Sequence, residues 1–383
     1  MSEVVNIPQL RFPEFNGEWE EKALGVVATI TTGSTPSTSN NEYYDGDVAF
    51  VSPADIQGNR IVRSTKTTIT ELGLSVVREI KKRSTLFVCI GSTIGKVSQA
   101  GVNCATNQQI NALTAKNSFD NDFIYSLLEF KAPRIKLLAG VQAVPQINKS
   151  EFSRFKFTFP LLPEQQKIAA FLTAVDNKIE QLSKKQELLG EYKKGLMQQI
   201  FSQAIRFKAD DGSEFPDWEE KKLGDVSVRG TSNISANQLE DNNGDYKIYG
   251  AAGHLKNIDF YTEEDCYVAI VKDGAGVGRI MLLESKTSVL GTLAIIKAKQ
   301  GNDINFLYWL IQTINFRKYV VGSTIPHIYY RDYQAEKLRI PSLSEQTKIA
   351  NFLSFIDSKI EQVGKQLDES KQFKKALLQQ MFV

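Results

Sequence analysis

A chain of 383 residues that is 42% hydrophobic and 23% charged has the composition of a folded protein of two or three domains, and not of a disordered one. Its three cysteines, Cys89, Cys104 and Cys266, form no CxxC pair, and its two histidines, His254 and His327, stand far apart, which argues against a disulfide framework, a zinc site and a histidine-based triad. Net charge is +2; residues 1–159 carry 17 basic against 15 acidic side chains and residues 206–340 carry 17 against 19, so nucleic-acid binding would need a local basic face or a partner's charge.

The chain opens with LRFPEFNGEWEEKALGVVA. A Gly/Ser/Thr/Pro loop over Thr31–Asn41 follows, too polar and turn-rich to be core. Short strand patterns come next, in DVAFVSP, NRIVR and TLFVCI, each bounded by Gly, Pro, Asn or Ser. TLFVCI runs into the glycine turn GSTIGK, then CATNQQINALTAK. A helical stretch starts at Phe123, a glycine leads to AVPQI (Ala143–Ile147), and the strand FKFTFP closes the half.

Pro160–Phe201 then reads as one long helix. Ile168, Leu172, Val175, Ile179, Leu182, Leu189, Leu196 and Ile200 step by threes and fours, the two-position seam of a coiled coil. Pro163 and Glu164 suit a helix start. Polar residues Gln186 and Lys193 fall on the seam, where they cost stability but can fix register.

The second half repeats the plan. Ile205–Phe207 and FPDWEEKKLGDVS repeat the opening, with Trp218 for Trp19. DCYVAIVKDGAGVGRIMLLES repeats the strand, glycine turn and strand, with Arg279 in the place of Lys96. FLYWLIQT from Phe306, TIPHI (Thr324–Ile328) and KLRIP follow. Pro341–Phe382 matches Pro160–Phe201 without a gap, with 21 of 42 positions identical. Its seam is Ile349, Leu353, Ile356, Ile360, Val363, Leu367, Leu377 and Met381, with Ser370 and Lys374 as polar members. A period this long is no solenoid; it marks a duplicated half-protein. The two helices are expected to pack on each other, antiparallel.

Neither glycine turn has the spacing of a phosphate loop. Gly91 to Gly95 leaves three residues where a Walker loop needs four, and Val97 follows Lys96; GAGVG at Gly274–Gly278 is one glycine short of the dinucleotide spacing. They read as tight hairpins whose glycines supply positive φ, able also to lay backbone N–H groups against a phosphate. No metalloprotease, serine-hydrolase, kinase, amino-methyltransferase or nuclease motif is found, so the scattered carboxylates read as solvated surface. No signal peptide and no membrane-spanning apolar run are seen, which with the reduced cysteines leads to an expected cytoplasmic location.

The long helices with their entries LPEQQKIAAFLTAVDNKIEQL and LSEQTKIANFLSFIDSKIEQV, the repeated RFPEF…W…LG opening, the strand–IGK–strand turn and VPQI occur in one order. In these the chain resembles, over essentially its whole length, the specificity subunit of type I restriction-modification systems. The resemblance implies an α/β (α+β) fold with two target-recognition domains, 1–160 and 206–340. Two spacer helices, 161–205 and 341–383, would form an antiparallel coiled coil. Each domain would read half of a bipartite asymmetric DNA site, with helix length setting the gap. The subunit would have no catalysis and no cofactor of its own. It would recruit two modification (methyltransferase) subunits and two restriction subunits, on which S-adenosylmethionine, ATP and Mg²⁺ would sit, and would have no membrane partner.

On that reading, the first-domain candidates for DNA contact are Ser34, Thr35, Ser92, Thr93, Lys96, Asn107, Gln108, Gln142 and Gln146. Asn and Gln can pair with adenine, and Lys with phosphate or guanine. The second-domain candidates are Lys272, Arg279, Thr292, Ser323, His327, Tyr329 and Arg331. A coiled-coil scaffold without sequence-selective DNA binding, and an enzyme built on the glycine turns, are the rival readings.

Overall fold

The computed structural model describes residues 7–139 and 145–383. The chain forms two compact units, residues 1–185 with 363–383, and residues 186–362. Each unit therefore contains part of each long helix.

In the first unit a five-stranded sheet runs Ala28–Thr32, Ile110–Ala115, Thr85–Val88, Val97–Ala100, Ile61–Val62. Its pairs are antiparallel except the last, so the architecture is α+β. A three-stranded sheet orders Thr67–Ile69, Tyr44–Val51, Cys104–Thr106. The opening strand Glu20–Ala23 pairs antiparallel with the closing strand Lys156–Phe159. That pairing delivers the chain into the long helix Leu162–Phe201. The second unit repeats the plan with one strand fewer in its larger sheet. Its larger sheet orders Ser227–Thr231, Leu293–Ala298, Tyr267–Val271, Ile280–Leu283, and its smaller one Gly253–Ile258, Tyr246–Gly250, Ser288–Val289. Glu219–Lys222 pairs with Lys337–Ile340 ahead of the long helix Leu343–Met381.

The central strands are apolar on both faces because both are covered. Tyr267–Val271 is buried at all five positions, and Thr85–Val88 at all four. Asn121–Leu138 and Ile304–Ile311 are helices that pack on these sheets, each started by an aspartate cap, Asp120 or Asp303. One expectation needs adjusting: Thr31 and Thr32 complete a strand, and Gly33 and Pro36 of the polar loop are buried. A Cβ on Gly33 would lie 2.2 Å from the Asn107 carbonyl oxygen, so only glycine lets the loop run this close.

The helix entry motifs have a structural explanation. Glu164 is buried and accepts from Arg11 Nε (2.7 Å), Arg11 Nη2 (2.7 Å) and Trp19 Nε1 (3.3 Å). Glu345 repeats this with Arg206 Nε (3.3 Å), Arg206 Nη2 (2.8 Å) and Trp218 Nε1 (3.0 Å). Gln165 accepts from Asp120 N (3.1 Å) and donates to the Pro160 carbonyl (2.8 Å); Gln346 does the same with Asp303 N (2.9 Å) and Pro341 (2.9 Å). Glu-Gln thus ties the helix start to the opening segment, the closing strand and the cap of the sheet-covering helix. These are buried polar groups with their partners supplied.

The seam serves both globule and coil. Ile168 and Leu172 share the first core with Leu377, Leu378, Met381 and Phe382 from the other helix's end. In the second core Ile349 and Leu353 meet Ile200. Leu182 and Val363 are each 4% exposed, and Ile356 is buried. Val175, Ile179 and Ile360 are half-buried. In the first unit Lys374 Nζ lies 2.6 Å from Asp176 Oδ1, and in the second Lys193 Nζ lies 2.5 Å from Asp357 Oδ1. A later residue of one helix meets an earlier residue of the other in both, so the pairing is antiparallel. Two of the four polar seam residues are therefore ion-paired across the coil.

Candidate nucleic-acid interface

Two backbone frames carry the candidate residues, and they match bond for bond. In the first unit the hairpin between Thr85–Val88 and Val97–Ala100 turns at Gly91 (φ 94°) and Gly95 (φ 90°). Gly91 N donates to Pro145 O (2.9 Å), Ile147 N to Cys89 O (2.9 Å) and Cys89 N to Gln109 O (2.8 Å). In the second unit the turn uses Gly274 (φ 89°) and Gly278 (φ 85°). There Gly274 N donates to Pro326 O, Ile328 N to Lys272 O and Lys272 N to Thr292 O, each at 2.9 Å. Positive φ at all four positions strongly favours glycine, as the hairpin reading requires.

These bonds gather segments that are distant in sequence. In the first unit they place the turn carrying Ser92, Thr93 and Lys96 beside Gln146 and the Asn107–Gln109 turn. Thr35 joins them by donating to Gln108 Oε1 at 2.8 Å, and Ser34 is its half-buried neighbour. Gln146, Gln108, Thr35 and Ser92 are exposed. Two candidates are engaged by the fold itself: Asn107 accepts from Gln109 N and donates to Gln109 Oε1 within its own turn, and Lys96 Nζ reaches the Pro53 carbonyl at 3.4 Å. Gln142 lies outside the described residues.

In the second unit Lys272, Thr292 and His327 meet through the same frame, with an Asp273–His327 bridge. Lys272 Nζ is 3.3 Å from Asp273 Oδ2, and Arg279 Nη1 donates to the Ala251 carbonyl at 2.6 Å. The His327 ring stands edge-on to Tyr329 at 4.9 Å, and the Arg331 guanidinium lies over Tyr329 at 4.8 Å. Tyr329, Arg331 and Ser323 are exposed, so this side presents an aromatic ring and a cation together.

Gln109 was missed from the sequence alone. It occupies the place of Thr292 and donates to the Ile90 carbonyl at 3.3 Å. Aligning the two glycine turns would have found it. The matching places hold different chemistry: Cys89 against Lys272, Gln109 against Thr292, Gln146 against His327. Cys89 is no nucleophile, because burial pushes its thiol up to about 12. Among the described residues no cluster of His, Cys, Asp and Glu could hold a metal ion. No described helix is long and apolar enough to cross a membrane.

A family model described as the type I restriction modification DNA specificity domain matches the chain twice, at residues 16–189 and 216–369. The chain belongs to the type I restriction-modification specificity family. The two matched copies are the two halves of the duplication. The type I restriction enzyme MjaIX specificity subunit of Methanocaldococcus jannaschii is 23% identical over 94% of this chain and 92% of its own length. The HindI specificity subunit of Haemophilus influenzae is 29% identical over 42% of this chain and 37% of its own. The crystal structure of a type I restriction-modification S subunit from M. genitalium covers 98% of this chain and 99% of its own, with a TM-score of 0.72 at 17% identity. That likeness establishes a shared fold.

Proposed function

We propose that this chain is the DNA sequence-specificity subunit of a type I restriction-modification complex and performs no chemistry itself. Residues 1–160 and 206–340 are its recognition domains, each reading one half of a bipartite, asymmetric duplex site. The long helices join them, and their length sets the gap. Two modification subunits bind this subunit and methylate adenine with S-adenosylmethionine; two restriction subunits add ATP- and Mg²⁺-dependent cleavage. The complex acts in the cytoplasm.

The observation that carries this reading is one backbone frame built twice with different side chains at its matching loop positions. A reader of an asymmetric site needs the same docking geometry at both halves and different base contacts within it. The near-neutral halves suit tight, salt-sensitive DNA binding only when the modification subunits add charge.

The test is to co-purify the chain with its modification subunit and select bound duplexes from a random pool. One gapped motif with two unlike halves is the expected outcome. Stable assembly with no enrichment would leave the scaffold reading in its place.

A further inference from the structure

The first unit contains a set of charges that the DNA-reading account does not use. Arg60 precedes the short strand Ile61–Val62, and its side chain is 8% exposed. Its Nη1 lies 2.9 Å from Asp176 Oδ2 on the central long helix, and its Nη2 lies 3.1 Å from Asp122 Oδ1 at the start of the sheet-covering helix. Arg60 Nε donates to Gln99 Oε1 at 2.9 Å, and the guanidinium sits 4.8 Å over the Tyr125 ring. Lys374, 11% exposed on the C-terminal long helix, pairs with Asp176 at 2.6 Å and with Glu129 Oε2 at 2.5 Å. Arg83 also pairs with Asp122. Three cations and three carboxylates thus connect a loop, the sheet-covering helix and both long helices.

Among the described residues, the second unit's cross-helix pair lacks the counterparts of Arg60 and Glu129 that flank it in the first. Lys193 meets Asp357 and lies 4.4 Å over the Trp309 ring, and the Asp357 side chain is 44% exposed. The added charges are therefore particular to the first globule and not a requirement of the coil.

Burying ions is costly, and apolar residues of similar volume often stabilise as well or better. Ions differ from apolar contacts in direction: charge-assisted hydrogen bonds fix angles, whereas apolar burial is non-directional. We propose that Arg60, Asp176, Lys374 and Glu129 are positioning residues that hold the first recognition domain at one orientation on its two helices, and so fix the gap length the complex accepts. This rests on the reading that the first globule recognises a half-site.

The test uses the quadruple variant Arg60→Met, Asp176→Leu, Lys374→Met, Glu129→Leu, which removes the charges of this set that tie the globule to the two helices, leaves the Arg83–Asp122 pair within the globule, and keeps the site filled. Spin labels at exposed Leu72 and Ala174, in a Cys266→Ser background, report the globule against its helix. The full chain is then run with its modification subunit and adenine methylation is mapped. The expected result is unchanged thermal stability, a broadened label distance distribution, and methylation of the same two half-sites at adjacent gap lengths, with the preference for one gap falling at least tenfold. An unchanged distance distribution, or a broadened one with gap preference intact, would overturn the proposal. Broadening in a protein whose unaltered form gives no bipartite motif would instead refute the DNA-reading function and leave the positioning role standing.

Discussion

Replacing Glu164 by leucine tests whether the buried carboxylate at the helix entry is the structural tie that the duplication suggests. The change removes the acceptor for Arg11 Nε, Arg11 Nη2 and Trp19 Nε1. An unsatisfied buried N–H costs about 1–3 kcal/mol, and breaking a buried ion pair costs about 3–5 kcal/mol. Arg11 is 12% exposed and keeps the Gly17 and Asn16 carbonyls, so it can turn partly to water. The lower end, about 3 kcal/mol, is therefore expected. With a urea slope of about 2–3 kcal/mol/M, the midpoint falls by about 1–1.5 M. Trp19 is the first unit's only tryptophan, so a Trp218→Phe, Trp309→Phe background reports that unit alone by fluorescence. Adding Arg11→Met removes the stranded cation and should recover about 2 kcal/mol. A single-variant loss below about 1 kcal/mol, or a double variant no more stable than the single, would refute the argument.

Gly33→Ala should destabilise by about 3 kcal/mol, because its Cβ would meet backbone that cannot move aside, as denaturation midpoints will register. Gly190→Ala and Gly195→Ala, in the long helix with nothing within 4 Å, should each stabilise by about 0.5–1 kcal/mol in the same assay. A thiol reagent at pH 8 should label one cysteine per native chain, Cys266, and three in urea, counted by mass; Cys89 and Cys104 are buried, and burial raises both thiols to about 12. Alanine at Gln146 or at Arg331 should each weaken discrimination at one half-site by about 1–3 kcal/mol and leave the other unchanged, measured by competition binding of the assembled complex.

The sequence was most informative where one physical demand repeats. The seam of the long helices, the glycine turns, the paired tryptophans and the helix-entry motif each recur at matching positions, so periodicity and self-comparison locate them. Lys193 and Lys374 stood out as polar residues on an apolar seam, and both are ion-paired across the coil. What could not be read was long-range pairing. Nothing local in Arg60 announces Asp176, and nothing in Asn107 announces that its amide is spent within its own turn. Gly33 looked like a polar-loop glycine, although its need comes from the Asn107 carbonyl in a strand-linking turn far along the chain. The candidate surface was legible as a set of loops and illegible as contacts, because base contacts depend on which side chains remain free after the fold has used its share.

The most direct test of the central claim is the genome-wide adenine methylation of cells that carry the modification subunit, with and without this gene. The account predicts one bipartite, gapped motif that is methylated with the gene and unmethylated without it. An identical methylation pattern in both would contradict it.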